Sequence, residues 1–206
     1  MFLNSRPDLY TTARPAVTTR LLLARHGETD WNRQGRFQGQ TDIPLNGTGR
    51  DQAMALAAHL KKEALAAIYS SSLRRSVETA QIIAAQHRLN VCRDERLNEI
   101  RMGAWEGMVF KDWANKFPSL KQAMDSDRRS VTAPNGESVD QLEKRVLTAM
   151  KEIALAYPGE TVCVIGHGMV NAVIRSQYLN IPFTEALRTM PVQGTWDELE
   201  LPYPYI

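Results

Sequence analysis

Two histidines, each set between an apolar run and a glycine, are the residues best placed to do chemistry in this chain. His26 follows Leu21-Leu22-Leu23-Ala24-Arg25 and precedes Gly27; His167 follows Thr161-Val162-Cys163-Val164-Ile165-Gly166 and precedes Gly168. Short apolar runs of this kind read as buried strands, and the switch to Arg-His-Gly reads as a strand's carboxyl end. In an open α/β sheet, that edge is where ligands bind. Gly27 would allow a sharp turn or the close approach of a ligand. An imidazole beside a guanidinium there suits an anionic substrate, and two such strands would bring two imidazoles together.

Between them, Ser70-Ser71-Ser72-Leu73-Arg74-Arg75-Ser76-Val77-Glu78-Thr79-Ala80 follows the strand-like Ala66-Ala67-Ile68-Tyr69. Serines ahead of an apolar helical pattern mark a helix start. Arginine in a first turn opposes the helix dipole, so it needs a reason. A phosphate would supply one, because helix N-termini and guanidinium forks both favour that anion. In Leu97-Asn98-Glu99-Ile100-Arg101-Met102-Gly103-Ala104-Trp105-Glu106-Gly107, either Glu99 or Glu106 could provide an acid.

These motifs resemble the histidine phosphatase superfamily, the group that includes bisphosphoglycerate-dependent phosphoglycerate mutases. Arg25 to Thr29 matches its signature, with Asn32 following, and Phe37 to Asn46 is similar to its substrate loop. Leu73 to Ala80 matches the second-arginine segment with Arg75, not Arg74, in place. Leu97 to Glu99 matches the acid motif, Pro134 to Ser138 a characteristic loop, and Gly166-His167-Gly168 the second histidine.

The resemblance implies a phosphomonoesterase needing no metal or other cofactor. Arg25 and Arg75 would grip phosphoryl oxygens, with Asn32 adding a hydrogen bond. Neutral His26 would attack phosphorus, its protonation disfavoured by nearby guanidinium charge. The phosphohistidine so formed splits one hard displacement into two. Protonated His167 would stabilise the transferring oxygens, and Glu99 would act as general acid and then base, with Glu106 the competitor. Gln38, Gly39 and Gly168 complete the expected substrate contacts. Mutases of the family carry a longer insertion between the acid motif and the second histidine. The short one here favours hydrolysis, with mutase activity or phospho-ligand binding without catalysis as the alternatives.

The elements that must position these groups follow from periodicity. Asn46 would cap a helix running to about Glu63, and Leu73 to His87 forms a second. Ser138 caps a third, ended by Tyr157-Pro158-Gly159, and Met169 to Leu179 a fourth whose N-terminus would point at the phosphate. Thr195 to Leu201 adds a last strand. Alternating strands and helices predict a three-layer α/β/α sandwich on a mostly parallel sheet. Residues 107–135 predict a small helical lid whose aromatic side chains either meet an apolar leaving group or pack the lid down. Residues 1–19 read as a mobile tail ahead of a single catalytic domain, 20–206.

At 206 residues, with 25 basic and 23 acidic side chains, the chain suits one α/β core and carries no global charge for nucleic acid. No apolar run spans a membrane. Cys92 and Cys163 read as buried strand residues in a reducing cytoplasm. No histidine or cysteine has metal-ligand spacing. His59 and His87 read as surface positions, and Arg128-Arg129 as a solvated turn. The expected partner is a small phosphorylated substrate, and a homodimer is allowed but not required.

Overall fold

The computed structural model describes residues 17–202. Five strands form one sheet: β1 (Thr18–Arg25), β2 (Leu65–Ser70), β3 (Val91–Arg93), β4 (Thr161–Gly166) and β5 (Trp196–Pro202), in the order β3-β2-β4-β1-β5. All neighbours run parallel except β5, which closes the β1 edge antiparallel. The sheet is therefore mostly parallel, as the alternation predicts.

Both faces of β1 and β4 are apolar, as a doubly covered parallel sheet requires. Leu22, Ala24, Ile68, Cys163 and Ile165 meet α2 (Gly47–Leu60) and α3 (Arg74–His87) through Leu56, Leu60, Ala80 and Ile83. Leu21, Leu23, Val162 and Val164 point the other way. They pack on α6 (Val139–Ala156), α7 (Gly168–Leu179) and α8 (Phe183–Arg188) through Leu142, Val146, Val170 and Phe183. The period-two alternation of strand side chains thus makes two cores from one run of leucines.

The predicted caps are in place. Asn46 Oδ1 accepts from Gly49 N at 2.8 Å, and Ser138 forms a capping box with Gln141. The reading of 1–19 as a tail needs trimming at its end. Thr18 and Thr19 belong to β1, and Thr19 is buried, its hydroxyl 2.8 Å from Tyr157 O. Residues 1–16 lie outside the described residues.

The lid contains α4 (Phe110–Lys116) and α5 (Pro118–Ser126), following the short α1 (Asp30–Arg33) in chain order of helices outside the sheet's own crossovers. It has its own small core. Trp113, fully buried, packs against Phe37, Trp105, Phe110 and Phe117. The lid's aromatic residues therefore hold it to the domain, which settles that alternative in favour of packing.

Candidate active site

The register of β1 on β4 pairs Arg25 with Gly166, so the next residue of each strand, His26 and His167, emerges at the same level. Their ring centroids lie 5.0 Å apart, and both side chains are buried. The His26 backbone N–H donates to Gly166 O at 3.2 Å, which locks the two strand ends together.

Each imidazole has a different second partner. His26 Nδ1 lies 2.7 Å from Gly27 O. A carbonyl can only accept, so Nδ1 carries the proton and Nε2 keeps its lone pair. His167 Nε2 lies 2.7 Å from Ser71 Oγ, which itself accepts from Leu73 N at 3.3 Å. Among the described residues the Ser71 hydroxyl proton has no other acceptor, so it is satisfied by donating to His167 Nε2, the arrangement that puts the ring proton on Nδ1. That Nδ1 is buried without a protein partner.

Burial, and then the charges of Arg75 and Arg25, hold His26 well below the ordinary imidazole range. The guanidinium effect expected from the sequence is thus present but second to desolvation. The same burial, with Arg75, keeps His167 neutral too. Beside two guanidinium groups, a further buried cation at His167 is unfavourable in the absence of an anion, the situation opposite to the one for which protonation is expected.

Arg25 follows from the end of β1, and Arg75 from the first turn of α3, where it is fully buried. Arg75 donates to Gly39 O at 2.8 Å and to Thr41 O at 2.9 Å, so it also fastens the substrate loop. The Nε atoms of both arginines are buried and unpartnered, and together with His167 Nδ1 they place three unsatisfied donors at one sheet edge. Native proteins rarely leave such donors orphaned. Arg74 is exposed, and its backbone N–H donates to Asp42 at 2.7 Å.

The two candidate acids separate cleanly. Glu106 accepts from Gln40 N at 3.1 Å and Met102 N at 3.0 Å on one oxygen, and from the Thr41 hydroxyl on the other. It knots the loop at residues 39–41. Gly39, with φ of 53°, passes this carboxylate so closely that a Cβ would stand 2.2 Å from Glu106 Oε1. Glu99 instead sits at the N-terminus of α7, accepting from Met169 N at 3.2 Å and Ile100 N at 2.9 Å. A Cβ on Gly168 would lie 3.4 Å from Glu99 Oε2 and 3.8 Å from Arg25 Nη2, so these groups share one pocket over Gly168. The α7 N-terminus thus holds the acid, where the sequence suggested the phosphate itself.

Gly27 serves a different purpose from the one expected. A Cβ there would meet Gly49 O at 2.2 Å, so the close approach is by the first turn of α2 and not by a ligand. Asn32 and Gln38 are both tied to Thr29: its N–H donates to Asn32 Oδ1 at 3.1 Å, and its hydroxyl lies 3.0 Å from Gln38 Oε1.

Several contributors escaped the sequence reading. Ser71 was hidden in a run of three serines. Arg145, on α6, donates to Arg96 O, Asn98 O and Glu99 O and pairs with Glu137, bracing the acid loop from below. Arg128, read as a solvated turn, is buried instead, donating to Val131 O at 2.6 Å and near enough to Glu99 for their charges to interact. Burial lowers its pKa, and it has no carboxylate partner among the described residues. Arg129 is the solvated member, paired with Asp140 and Glu143. His87 is half-buried, while His59 is exposed as expected. Among the described residues, no three His, Cys, Asp or Glu side chains gather as a metal site.

A three-layer α/β fold with two guanidinium groups and two imidazoles converging at the sheet edge defines a phosphoryl-transfer site. The profile of the histidine phosphatase superfamily, branch 1, matches residues 21–201. "Phosphoglycerate mutase-like protein 4" of Arabidopsis thaliana is 41% identical over 161 residues, 77% of this chain and 69% of its own length. "Metal-independent phosphoserine phosphatase" of the same plant is 40% identical, over 79% of this chain and 68% of its own. The solved mycobacterial glucosyl-3-phosphoglycerate phosphatase superposes with a TM-score of 0.77 at 29% identity, covering 89% of this chain and 90% of the other. The chain belongs to the histidine phosphatase superfamily and is a phosphatase of that family, a phosphoric monoester hydrolase.

Proposed function

We propose that this phosphatase works through a phosphohistidine at Nε2 of His26, and that its substrate is a small phosphorylated carboxylic acid. The observation that carries the mechanism is the Gly27 carbonyl on His26 Nδ1, because it leaves a lone pair on Nε2 of an imidazole 5.0 Å, ring to ring, from His167, whose Nδ1 is an unpartnered buried donor. Phosphoryl transfer needs positioning and charge stabilisation above all. Arg25, Arg75 and the Nδ1–H of His167 supply these.

In the first displacement, His26 Nε2 forms a bond to phosphorus as the ester P–O bond breaks. Glu99, protonated, gives its proton to the leaving alkoxide. In the second, water attacks phosphorus, the N–P bond breaks, and Glu99 takes the proton from that water. Inorganic phosphate leaves and both groups return to their starting states.

The substrate class rests on Arg128. A buried guanidinium without a counter-ion is costly to keep. This one lies in the lid, close enough to Glu99 for their charges to interact and with no carboxylate in salt-bridge contact among the described residues. A carboxylate a few bonds from the phosphate would satisfy it. Relatives named for phosphoserine and phosphoglycerate act, by those names, on esters of that kind. A cytoplasmic location is part of the proposal, supported by Cys92 and Cys163, which are unpaired on strands that β2 separates. Separately, no helix among the described residues is long and apolar enough to cross a membrane.

The test is phosphate release in excess chelator from phosphoserine, 3-phosphoglycerate, sugar phosphates and p-nitrophenyl phosphate, with quenched samples examined for acid-labile label on the protein. His26→Ala should abolish both release and label. Arg128→Met should cost about 10–100-fold on the carboxylate esters, the size of a lost charged hydrogen bond, and little on p-nitrophenyl phosphate. Equal losses on all esters would refute the substrate class. Turnover in His26→Ala would refute the covalent route, and interconversion of phosphoglycerates in place of release would make the protein a mutase.

A further inference from the structure

The segment joining α8 to β5, residues 189–195, touches three elements that border the site. Met190 Cε lies 3.6 Å from where a Cβ on Gly168 would stand, and Gly194 lies against Gln52 of α2. Gln193 Nε2 donates to Asn32 Oδ1 at 2.8 Å. Arg175, buried on α7, holds both ends of this strap: one Nη donates to Thr189 Oγ1 at 3.0 Å and the other pairs with Asp197 at 2.5 Å.

The bond to Asn32 has a consequence beyond anchoring. Asn32 Oδ1 already accepts from Thr29 N at 3.1 Å, and the Thr29 hydroxyl lies 3.0 Å away. With Gln193 added, the oxygen side of the amide is surrounded by donors. An amide carries its acceptor and its two donors on opposite edges, so fixing one fixes the other. Among the described residues, the Asn32 Nδ2 group donates to no protein atom. It is left for an acceptor outside the Thr29–Gln193 frame, and a phosphoryl oxygen is such an acceptor.

We infer that Gln193 is a positioning residue for phosphate recognition: it sets the Asn32 amide with its donor edge toward the anion, which makes the strap a wall of the phosphate site. This rests on the reading of the site as phosphoryl-binding, but not on turnover. Without Gln193, Asn32 Oδ1 would keep the longer bond from Thr29 N–H at 3.1 Å and lose the shorter one at 2.8 Å, so the helix cap would remain while the amide is held by one anchor in place of two.

The experiment is calorimetric binding of inorganic phosphate to the full chain. Wild type, Gln193→Met and Gln193→Glu are compared, each also in an Asn32→Ala background, with thermal melting alongside. Gln193→Met removes the donor at similar length and should raise Kd several-fold. Gln193→Glu should raise it about tenfold or more, because a carboxylate can only accept: it would repel Asn32 Oδ1 and compete for the Asn32 Nδ2 donors against the Thr29 bond that holds the oxygen. In the Asn32→Ala background, Gln193→Met should change Kd less than twofold, as there is no amide left to orient. A loss of equal size in both backgrounds would overturn the inference, since the strap would then act only as scaffold. So would an unchanged Kd in Gln193→Met, or a wild type that does not bind phosphate. A wild type that binds phosphate with this coupling yet hydrolyses no ester would leave the inference standing and sink the hydrolase reading alone.

Discussion

Arg145 makes no direct contact with either histidine, yet replacing it should damage both stability and the acid step. Its guanidinium forms five hydrogen bonds: to Arg96 O at 2.7 Å, Asn98 O at 2.6 Å, Glu99 O at 3.1 Å, and to both oxygens of Glu137 at 2.7 and 2.8 Å. Glu137 is 7% exposed and Arg145 20%, so solvent screens this pair only weakly. Removing one partner of a buried ion pair costs about 3–5 kcal/mol, mostly through the charge left behind. For a domain of this size each kcal/mol is about 2–4 °C in Tm, so Arg145→Met should lower Tm by about 6–20 °C.

The pH dependence carries a sign that tests the cause. Burial pushes Glu137 up, but the hydrogen bond and charge of Arg145, with the Arg101 amide, outweigh it and hold the carboxyl below its ordinary 4.5. In wild type, that pair therefore contributes stability above about pH 4.5, and loses it as pH falls through the lowered folded pKa. Without Arg145, burial is opposed only by the Arg101 amide and charge, so Glu137 should titrate higher than in wild type. The gap between wild type and Arg145→Met should then be largest near pH 7 and shrink below pH 5. Adding Glu137→Gln to Arg145→Met should recover part of the loss but not all, because three carbonyls would still lack their donor. Urea unfolding at several pH values reads each quantity. A gap under about 1 kcal/mol, or one independent of pH, would refute the claim that this pair braces the acid loop.

Two further outcomes bear on the chemistry. Glu99→Gln should slow esters of alkyl alcohols about 10²–10⁴-fold while sparing p-nitrophenyl phosphate, whose leaving group hardly needs a proton; Glu106→Gln should act on both alike, by loosening the loop at residues 39–41. Exchanged behaviour would reverse the assignment. Since burial and the charges of Arg75 and Arg25 hold His26 neutral well below its ordinary 6.5, kcat/KM corrected for substrate ionisation should show no acid limb near that pH. An imidazole-like limb there in wild type would refute the tautomer and charge argued for the nucleophile.

The parts of this site legible in the sequence are those carried by local pattern. Apolar strands ending in histidine, a helix start with an arginine, and caps at Asn46 and Ser138 each depend on neighbours a few residues away. What was missed depends on contacts distant in the chain. Gln193 and Asn32 are 161 residues apart, and Ser71 and His167 are 96 apart. Arg128 and Arg129 are adjacent and chemically identical, yet one is buried and one solvated, because the turn Arg128–Ser130 sends their side chains to opposite sides. No composition rule distinguishes them. The prolines around 190–204 interrupt periodicity, so nothing local indicated that this segment reaches Asn32.

The division of labour between the two histidines illustrates the same limit at its sharpest. Both end a strand, both precede glycine, and both are buried, which with the charges of the same arginines holds them neutral. Only the atom on the far side of each ring differs. A carbonyl that can only accept makes His26 present a lone pair, while a hydroxyl whose proton has no other acceptor among the described residues makes His167 present a proton. In the mechanism proposed above, Gly27 O and Ser71 Oγ are therefore the atoms that separate nucleophile from electrophilic donor.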